Sequence, residues 1–179
     1  IRFGFSHVSP HLMRQFEEYG VIDLVGKQNI FTTLKSAIEY VPQKTQSIME
    51  RVQALDLPKA EYVVVGGAVM EALNLRDSAN IDIVVSHDVF TKFLNDPEWL
   101  KMTAAGGKLV CAKDGVWLMR SWLGRTVGAI KRAGTFSKKG VTFIDLPQLI
   151  ACKQRLGRRK DQSDIALLKS QLVRNRSNS

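Results

Sequence analysis

Residues Tyr62–Val85 have the sequence YVVVGGAVMEALNLRDSANIDIVV, in which two short apolar runs enclose a Gly-Gly pair and a helical pattern. The first apolar run has the length of a buried strand, and the two glycines allow a tight turn into the helix that follows. The second run, Ile81–Val85, has an isoleucine on each side of Asp82, which predicts a strand with this carboxylate on one face. The stretch therefore predicts a strand, turn, helix and strand in an α/β domain.

Two features of this stretch are candidates for ligand binding. Gly66 and Gly67 let the backbone approach a ligand closely, and the N–H groups of the first helical turn beside them suit a phosphate. The alternative is that the glycines form only a tight turn. Asn80 and Asp82 are two residues apart, so on an extended chain their side chains point to the same side. Oxygen ligands placed in this way hold magnesium ions against a triphosphate.

The combination of VVVGGAVMEALNLR and NIDIVVS resembles the nucleotidyltransferase superfamily of the DNA polymerase beta fold, particularly its small bacterial stand-alone and toxin–antitoxin members. The closing segment LIACKQRLGRRKDQSDIALL adds to this resemblance, which covers about residues 48–172. The resemblance implies an α/β (α+β) fold with a mixed sheet flanked by helices, which binds a nucleoside triphosphate with magnesium and transfers a nucleotide to a hydroxyl acceptor. The residues implied are Asp82 and Asn80 for metal binding and catalysis, and Gly66, Gly67, Arg76 and Lys160 for the triphosphate.

The sequence departs from the superfamily pattern at two places. The pattern has Asp-x-Asp on the strand, whereas this chain has Asn80 at the first of these positions. The pattern also has a third acidic residue on a later strand, whereas the segment GVWLMRSW contains Trp117 and no carboxylate. Because a neutral amide binds a hard cation less strongly than a carboxylate, we expect a degenerate metal site. A non-catalytic module that binds a nucleotide, a nucleic acid or a partner protein is therefore the alternative to an enzyme.

The distribution of charge indicates an anionic partner. The chain has a formal net charge of +9, and residues 125–179 contain 13 basic and three acidic side chains. This asymmetry predicts binding of RNA or another nucleic acid through the C-terminal third, and the alternative is a solvated basic helix face. Trp117 and Trp122 are predicted to lie on opposite faces of one strand, one in the core and the other available to stack on a base.

Residues 1–43 resemble the C-terminal half of a STAS domain, the regulatory domain of sulfate-permease-type transporters and anti-sigma-factor antagonists. The resemblance rests on the strand pattern IRFGFSHV, a helix that opens at Ser9 and Pro10, and the segment GVIDLVGKQNIFTTLKSAIEYV. It implies a strand, helix and helix with an unpaired strand edge, which predicts a homodimer and a regulatory interaction module as a third function. We assign residues 44–48 to a linker, residues 49–173 to the nucleotidyltransferase-like domain and residues 174–179 to a flexible tail.

Composition restricts the setting in which the protein acts. The chain is 45% hydrophobic and 24% charged, as in ordinary globular proteins, and it has no apolar run of the roughly 20 residues that span a membrane. Cys111 and Cys152 lie far apart in sequence and lack a nearby Cys or His at metal-ligand spacing, so we expect neither a disulfide nor a zinc site. Together these features predict a cytoplasmic protein without a membrane span.

Overall fold

A computed structural model describes residues 8–19, 21–22, 46–104 and 107–177. The chain divides into two compact units, Ile1–Thr45 and Gln46–Ser179, which are described here one at a time. In the first unit, helix α1 spans Pro10–Glu18, and Ser9 accepts a hydrogen bond from the first turn. The predicted helix at Pro10 is thus confirmed, whereas nearly all of the rest of the STAS-like segment lies outside the described residues.

The second unit contains alternating helices and strands. Its elements in chain order are α2 (Ile48–Gln53), a 3-10 turn (Lys59–Glu61), β1 (Tyr62–Val65), α3 (Gly67–Ala72), β2 (Ile81–Val85), α4 (His87–Asn95), β3 (Leu100–Ala104), β4 (Lys108–Lys113), β5 (Val116–Met119), α5 (Val127–Ala133), β6 (Thr135–Lys138), β7 (Val141–Ile144), α6 (Leu146–Leu156) and α7 (Arg159–Ser177).

The seven strands form one mixed sheet in the order β3-β4-β5-β2-β1-β7-β6. At its centre β1 pairs antiparallel with β2, while β2 pairs parallel with β5 and β1 pairs parallel with β7. Two antiparallel hairpins, β3-β4 and β6-β7, complete the two edges. The expectation of a mixed sheet flanked by helices is therefore confirmed, and the specific nucleotidyltransferase fold stays a prediction.

The hydrophobic core forms around the central strands. Every residue of β1 is buried, as the apolar run predicts, and in β2 only Asp82 is partly exposed. Several helices begin with side-chain caps; in α2, Ser47 and Glu50 form a reciprocal capping box. Such a cap satisfies backbone donors that a helix start leaves unpaired.

The sequence pattern located most of these elements but missed three. The strand Ile81–Val85 occurs at the predicted residues, and Asp114-Gly115 forms a two-residue turn between β4 and β5. Strands β3 and β6 and helix α5 lie outside the predicted elements, because segments of four to seven residues are too short to establish a period. Helix α7 runs to Ser177.

Two further findings concern the cysteines and the length of the helices. Cys111 and Cys152 are free, buried thiols. Within the residues that the structure describes, no helix combines the length and apolar character needed to cross a bilayer.

Candidate functional site

Gly66 and Asp82 meet at the ends of the two central strands. Val65 and Asp82 are paired in the β1-β2 ladder, which brings the turn after β1 against the Asp82 side chain. Gly66 has φ +71°, and a Cβ at this position would lie 2.7 Å from Asp82 Oδ2. Only glycine fits both the backbone conformation and the space. The contact with the Asp82 carboxylate therefore accounts for a glycine at position 66.

The carboxylate of Asp82 lies in a partly buried, positively charged environment. Burial raises the pKa of Asp82 above its ordinary value, and the positive charges of Lys160, Arg158 and Lys153 act against this rise. Arg158 lies in the turn between α6 and α7, where Gly157 adopts the left-handed conformation that ends α6, and Lys160 lies in the first turn of α7. The tertiary fold thus brings basic residues of the C-terminal third to the carboxylate on β2.

Behind this turn lies a buried cluster of ion pairs. Lys153, Asp161 and Asp164 are each at most 3% exposed, and Lys153 Nζ lies 2.5 Å from Asp164 Oδ2 and 3.4 Å from Asp161 Oδ1. Arg76 donates two hydrogen bonds to Asp164, of 2.6 and 2.7 Å, from Nε and Nη2. Arg158 donates two to Asp161, of 2.8 and 3.1 Å. Each aspartate therefore forms ion pairs with the buried lysine and with one arginine.

The pKa values of both aspartates reflect these pairings. Burial acts to raise the pKa of Asp164, but the hydrogen bonds from Arg76 and Lys153 lower it to about 2. Hydrogen bonds from Arg158 hold the pKa of Asp161 below its ordinary value. Both aspartates are thus ionised at neutral pH. Because Arg158 is held in a fork by Asp161, its guanidinium has a fixed position at the site.

A groove of about 1360 Å³ opens beside Asp82. Its floor includes Asp82 on β2 and Trp117 on β5, which are register partners in the sheet. Its walls include α4, the end of β5 with the turn that follows, and Arg158. The groove therefore combines two carboxylates, Asp82 and Glu61, with an aromatic floor and cationic side chains.

The other predicted site residues occupy different surroundings. A Cβ at Gly67 would lie 2.6 Å from Ser78 Oγ, so this glycine permits close packing against the loop before β2. Asn80 precedes β2 rather than lying within it, and its backbone carbonyl accepts a 2.8 Å hydrogen bond from Ser78 Oγ. Arg76 Nη1 donates to the carbonyl of Asp77, so all three of its nitrogens bind protein atoms. A phosphate contact by Arg76 stays a prediction.

Lys160, a predicted triphosphate ligand, is exposed and acts electrostatically on Asp82. The sequence pattern missed three contributors to this site. Lys153 lies in the last turn of α6, where a lysine is ordinarily exposed, so its burial has no sequence signal. Lys108 and His87, which line the groove, belong to segments without a motif.

A magnesium site at Asp82 stays a prediction, and the described residues beside Asp82 do not supply the carboxylates that two ions would need. Magnesium in nucleotide sites is bound through one or two carboxylates together with phosphate oxygens. Asp82 supplies one carboxylate, and Trp117 occupies the neighbouring position on β5. In the described part of the chain, no three His, Cys, Asp or Glu side chains are grouped for metal binding.

Comparison with known proteins adds no family to these observations. No protein-family model, curated protein or solved structure matches the chain. The geometry of the described residues is therefore the basis for the functional proposal.

Proposed function

We propose that this chain binds a nucleoside triphosphate together with one magnesium ion in the groove beside Asp82, and that its degenerate metal site makes it a weak nucleotidyltransferase; the alternative is a module that binds without transfer. The observation that carries the proposal is the position of Asp82, which lies against the bare backbone of Gly66 and within the field of Lys160 and Arg158. A carboxylate, a glycine turn and nearby cations are the parts of a site for a metal-bound triphosphate.

The residues of the site have separate roles in this proposal. Arg158 and Lys160 bind phosphate oxygens, and Arg158 is ready to do so because Asp161 holds its guanidinium in place. Gly66 gives the Asp82 carboxylate room beside the backbone. Asp82 would hold the magnesium ion, which offsets the repulsion between the carboxylate and the triphosphate, and metal binding by the Asn80 side chain stays a prediction. Trp117 offers its ring to the base.

The same residues favour binding over transfer. In-line transfer by two metals uses carboxylates that hold both ions against the attacking and leaving oxygens. Asn80 supplies no negative charge where the superfamily pattern has its first acid, and the later segment GVWLMRSW contains no carboxylate. We therefore place this protein closer to a nucleotide-binding module than to an efficient transferase.

Titration calorimetry of the full chain with each nucleoside triphosphate, with magnesium and with EDTA, tests the proposal. We expect magnesium-dependent binding of at least one triphosphate and a loss of about tenfold or more in affinity for Asp82→Asn, equivalent to about 1.4 kcal/mol. Asp56→Asn is the matched control, because Asp56 is exposed and outside the groove. Absence of binding with all triphosphates, or equal binding by Asp82→Asn and wild type, would refute the proposal.

A second variant separates binding from turnover. Asn80→Asp restores a carboxylate, so we expect it to strengthen magnesium-dependent binding and to increase the incorporation of labelled nucleotide into bulk RNA or protein. Wild-type incorporation at a rate equal to that of Asn80→Asp would show that the native site is an active transferase. In that case nucleotide binding would stand, and the assignment of weak transfer would be wrong.

A further inference from the structure

The groove beside Asp82 is larger than a site for one small ligand. Its volume of about 1360 Å³ exceeds the roughly 300–1000 Å³ of ordinary small-molecule pockets. It extends from Asp82 and Trp117 on the sheet to Lys108 and Leu109 on β4. The groove is therefore large enough for a ligand longer than one nucleotide.

Two tryptophans line this groove, and neither is fully buried. Trp117 stands beside Asp82 on the sheet. Trp122 lies beyond the end of β5, so the prediction that both rings share one strand is wrong. Both rings line the same groove, and Trp122 also packs partly against the core. Successive aromatic rings along one groove are a surface on which unpaired bases stack.

A tight turn fixes the position of the Trp122 ring. Trp122 and Arg125 exchange two backbone hydrogen bonds of 2.9 Å, and the two residues between them, Leu123 and Gly124, have φ of 50° and 81°. Two positive φ values in a two-residue loop are the geometry of a type I′ turn. The backbone that carries Trp122 is therefore held by short-range contacts and does not depend on a ligand.

The charge around the rings is mainly positive. Lys108, Arg120 and Arg158 line the groove, against the carboxylates of Asp82 and Glu61. Glu61 accepts a 2.7 Å hydrogen bond from the Ser86 hydroxyl. Arg120 Nη1 lies 3.2 Å from the ring nitrogen Nδ1 of His87. Within the described residues, Arg120 does not contact a carboxylate.

We propose that the groove binds a single-stranded nucleic acid, with bases stacked on Trp117 and Trp122 and phosphates bound by Arg120, Arg158 and Lys108. The combination of exposed aromatic rings and cations fits this partner. A duplex keeps its bases stacked on one another and so offers no free ring face to Trp117. An acidic peptide would match the cations but not the rings. This interaction uses more of the groove than a nucleotide and does not require magnesium.

Fluorescence anisotropy of the full chain with labelled 12-nucleotide oligo(U) and oligo(dT), in EDTA, tests this proposal. We expect binding that weakens with salt, with a slope of log affinity against log salt of about −0.7 for each phosphate contact, or about −2 for three cations. Comparison of the two oligonucleotides separates recognition of RNA from recognition of single strands in general. Absence of binding by both at about 50 mM salt would refute the proposal, since cationic contacts are strongest at low salt.

Variants of the rings test whether stacking contributes. Trp117→Leu and Trp122→Leu should each weaken binding by about five- to 150-fold, equivalent to about 1–3 kcal/mol per stacked base. Tyr19→Leu is the control, because it removes a ring that is 76% exposed in the first unit. Thermal unfolding of each variant verifies that it is folded. If both tryptophan variants bind within twofold of wild type, the basic surface alone accounts for binding and the proposal is wrong.

Charge variants provide the second test. Arg120→Gln should reduce the salt slope by about 0.7, whereas Lys169→Gln, an exposed residue of α7 outside the groove, should leave it unchanged. Poly-glutamate that binds as tightly as the oligonucleotides would contradict recognition of bases. Asp82→Asn separates the two proposals, because it should weaken magnesium–triphosphate binding by about tenfold or more and leave oligonucleotide binding undiminished.

Discussion

Replacement of Asp164 by asparagine should destabilise the protein strongly at neutral pH and less at acid pH. Asp164 is 2% exposed and accepts hydrogen bonds from Arg76 Nε and Nη2 and from Lys153 Nζ. Asparagine keeps the size of the side chain but has no charge, and its amide group would face a cation. Lys153 would then keep only Asp161, 3.4 Å away, as an anionic neighbour in the cluster. A buried charge without its counter-charge is costly.

The pH-dependent part of this effect follows from the pKa. The pKa of Asp164 is about 2 in the folded protein, compared with an ordinary value of 3.8. The difference corresponds to about 2.4 kcal/mol of stability, which is fully present well above pH 4 and is lost as the pH falls toward 2. At pH 3 about 1.3 kcal/mol of it remains. The total cost of removing one partner of a buried pair is about 3–5 kcal/mol.

Urea unfolding of wild type and Asp164→Asn at pH 7 and pH 3 measures the total destabilisation and the part of it that depends on pH. We expect a difference in the free energy of unfolding of about 3–5 kcal/mol at pH 7, which shrinks by about 1 kcal/mol at pH 3. The control Asp56→Asn changes an exposed aspartate at φ 48°, where asparagine is equally tolerated, and should have little effect at either pH. An Asp164→Asn effect that is the same at both pH values would show that the ionised form of Asp164 is not the source of the stability.

Three further substitutions test the local geometry. Gly66→Ala should lower the free energy of unfolding by about 3 kcal/mol, because φ is +71° and the new Cβ would lie 2.7 Å from Asp82 Oδ2; a melting temperature within about 2 °C of wild type would contradict the described contact. Leu123→Asn should raise the melting temperature by about 2–4 °C, since asparagine tolerates φ 50° better than leucine, and a decrease would show that packing of the leucine outweighs the strain. Ser47→Ala should cost about 1 kcal/mol in urea unfolding because it removes the cap of α2, and an unchanged urea midpoint would argue against the capping box.

The central strands and the candidate carboxylate were accessible from the sequence because their signals are local. An apolar run of strand length, a Gly-Gly pair and an alternating second run predict β1, the turn and β2 with Asp82 on one face. The missed elements β3, α5 and β6 have burial patterns that depend on their neighbours, so their sequences lack a period of their own. The described part of the chain therefore contains more sheet than local patterns indicate.

The sequence by itself determined which residues are available for chemistry. Gly66 follows the first predicted strand, Asp82 lies on the second, and positions 80 and 117 have no acid. Only the tertiary structure decided which residues meet. Arg76 and Asp164 are far apart in sequence yet form a two-pronged ion pair, and Asp161 fixes Arg158 at the groove. Ion pairing and burial depend on distances between elements. The order of strands in the sheet sets these distances, and local sequence patterns do not encode them. The same order places Trp117 on β5 beside Asp82 on β2.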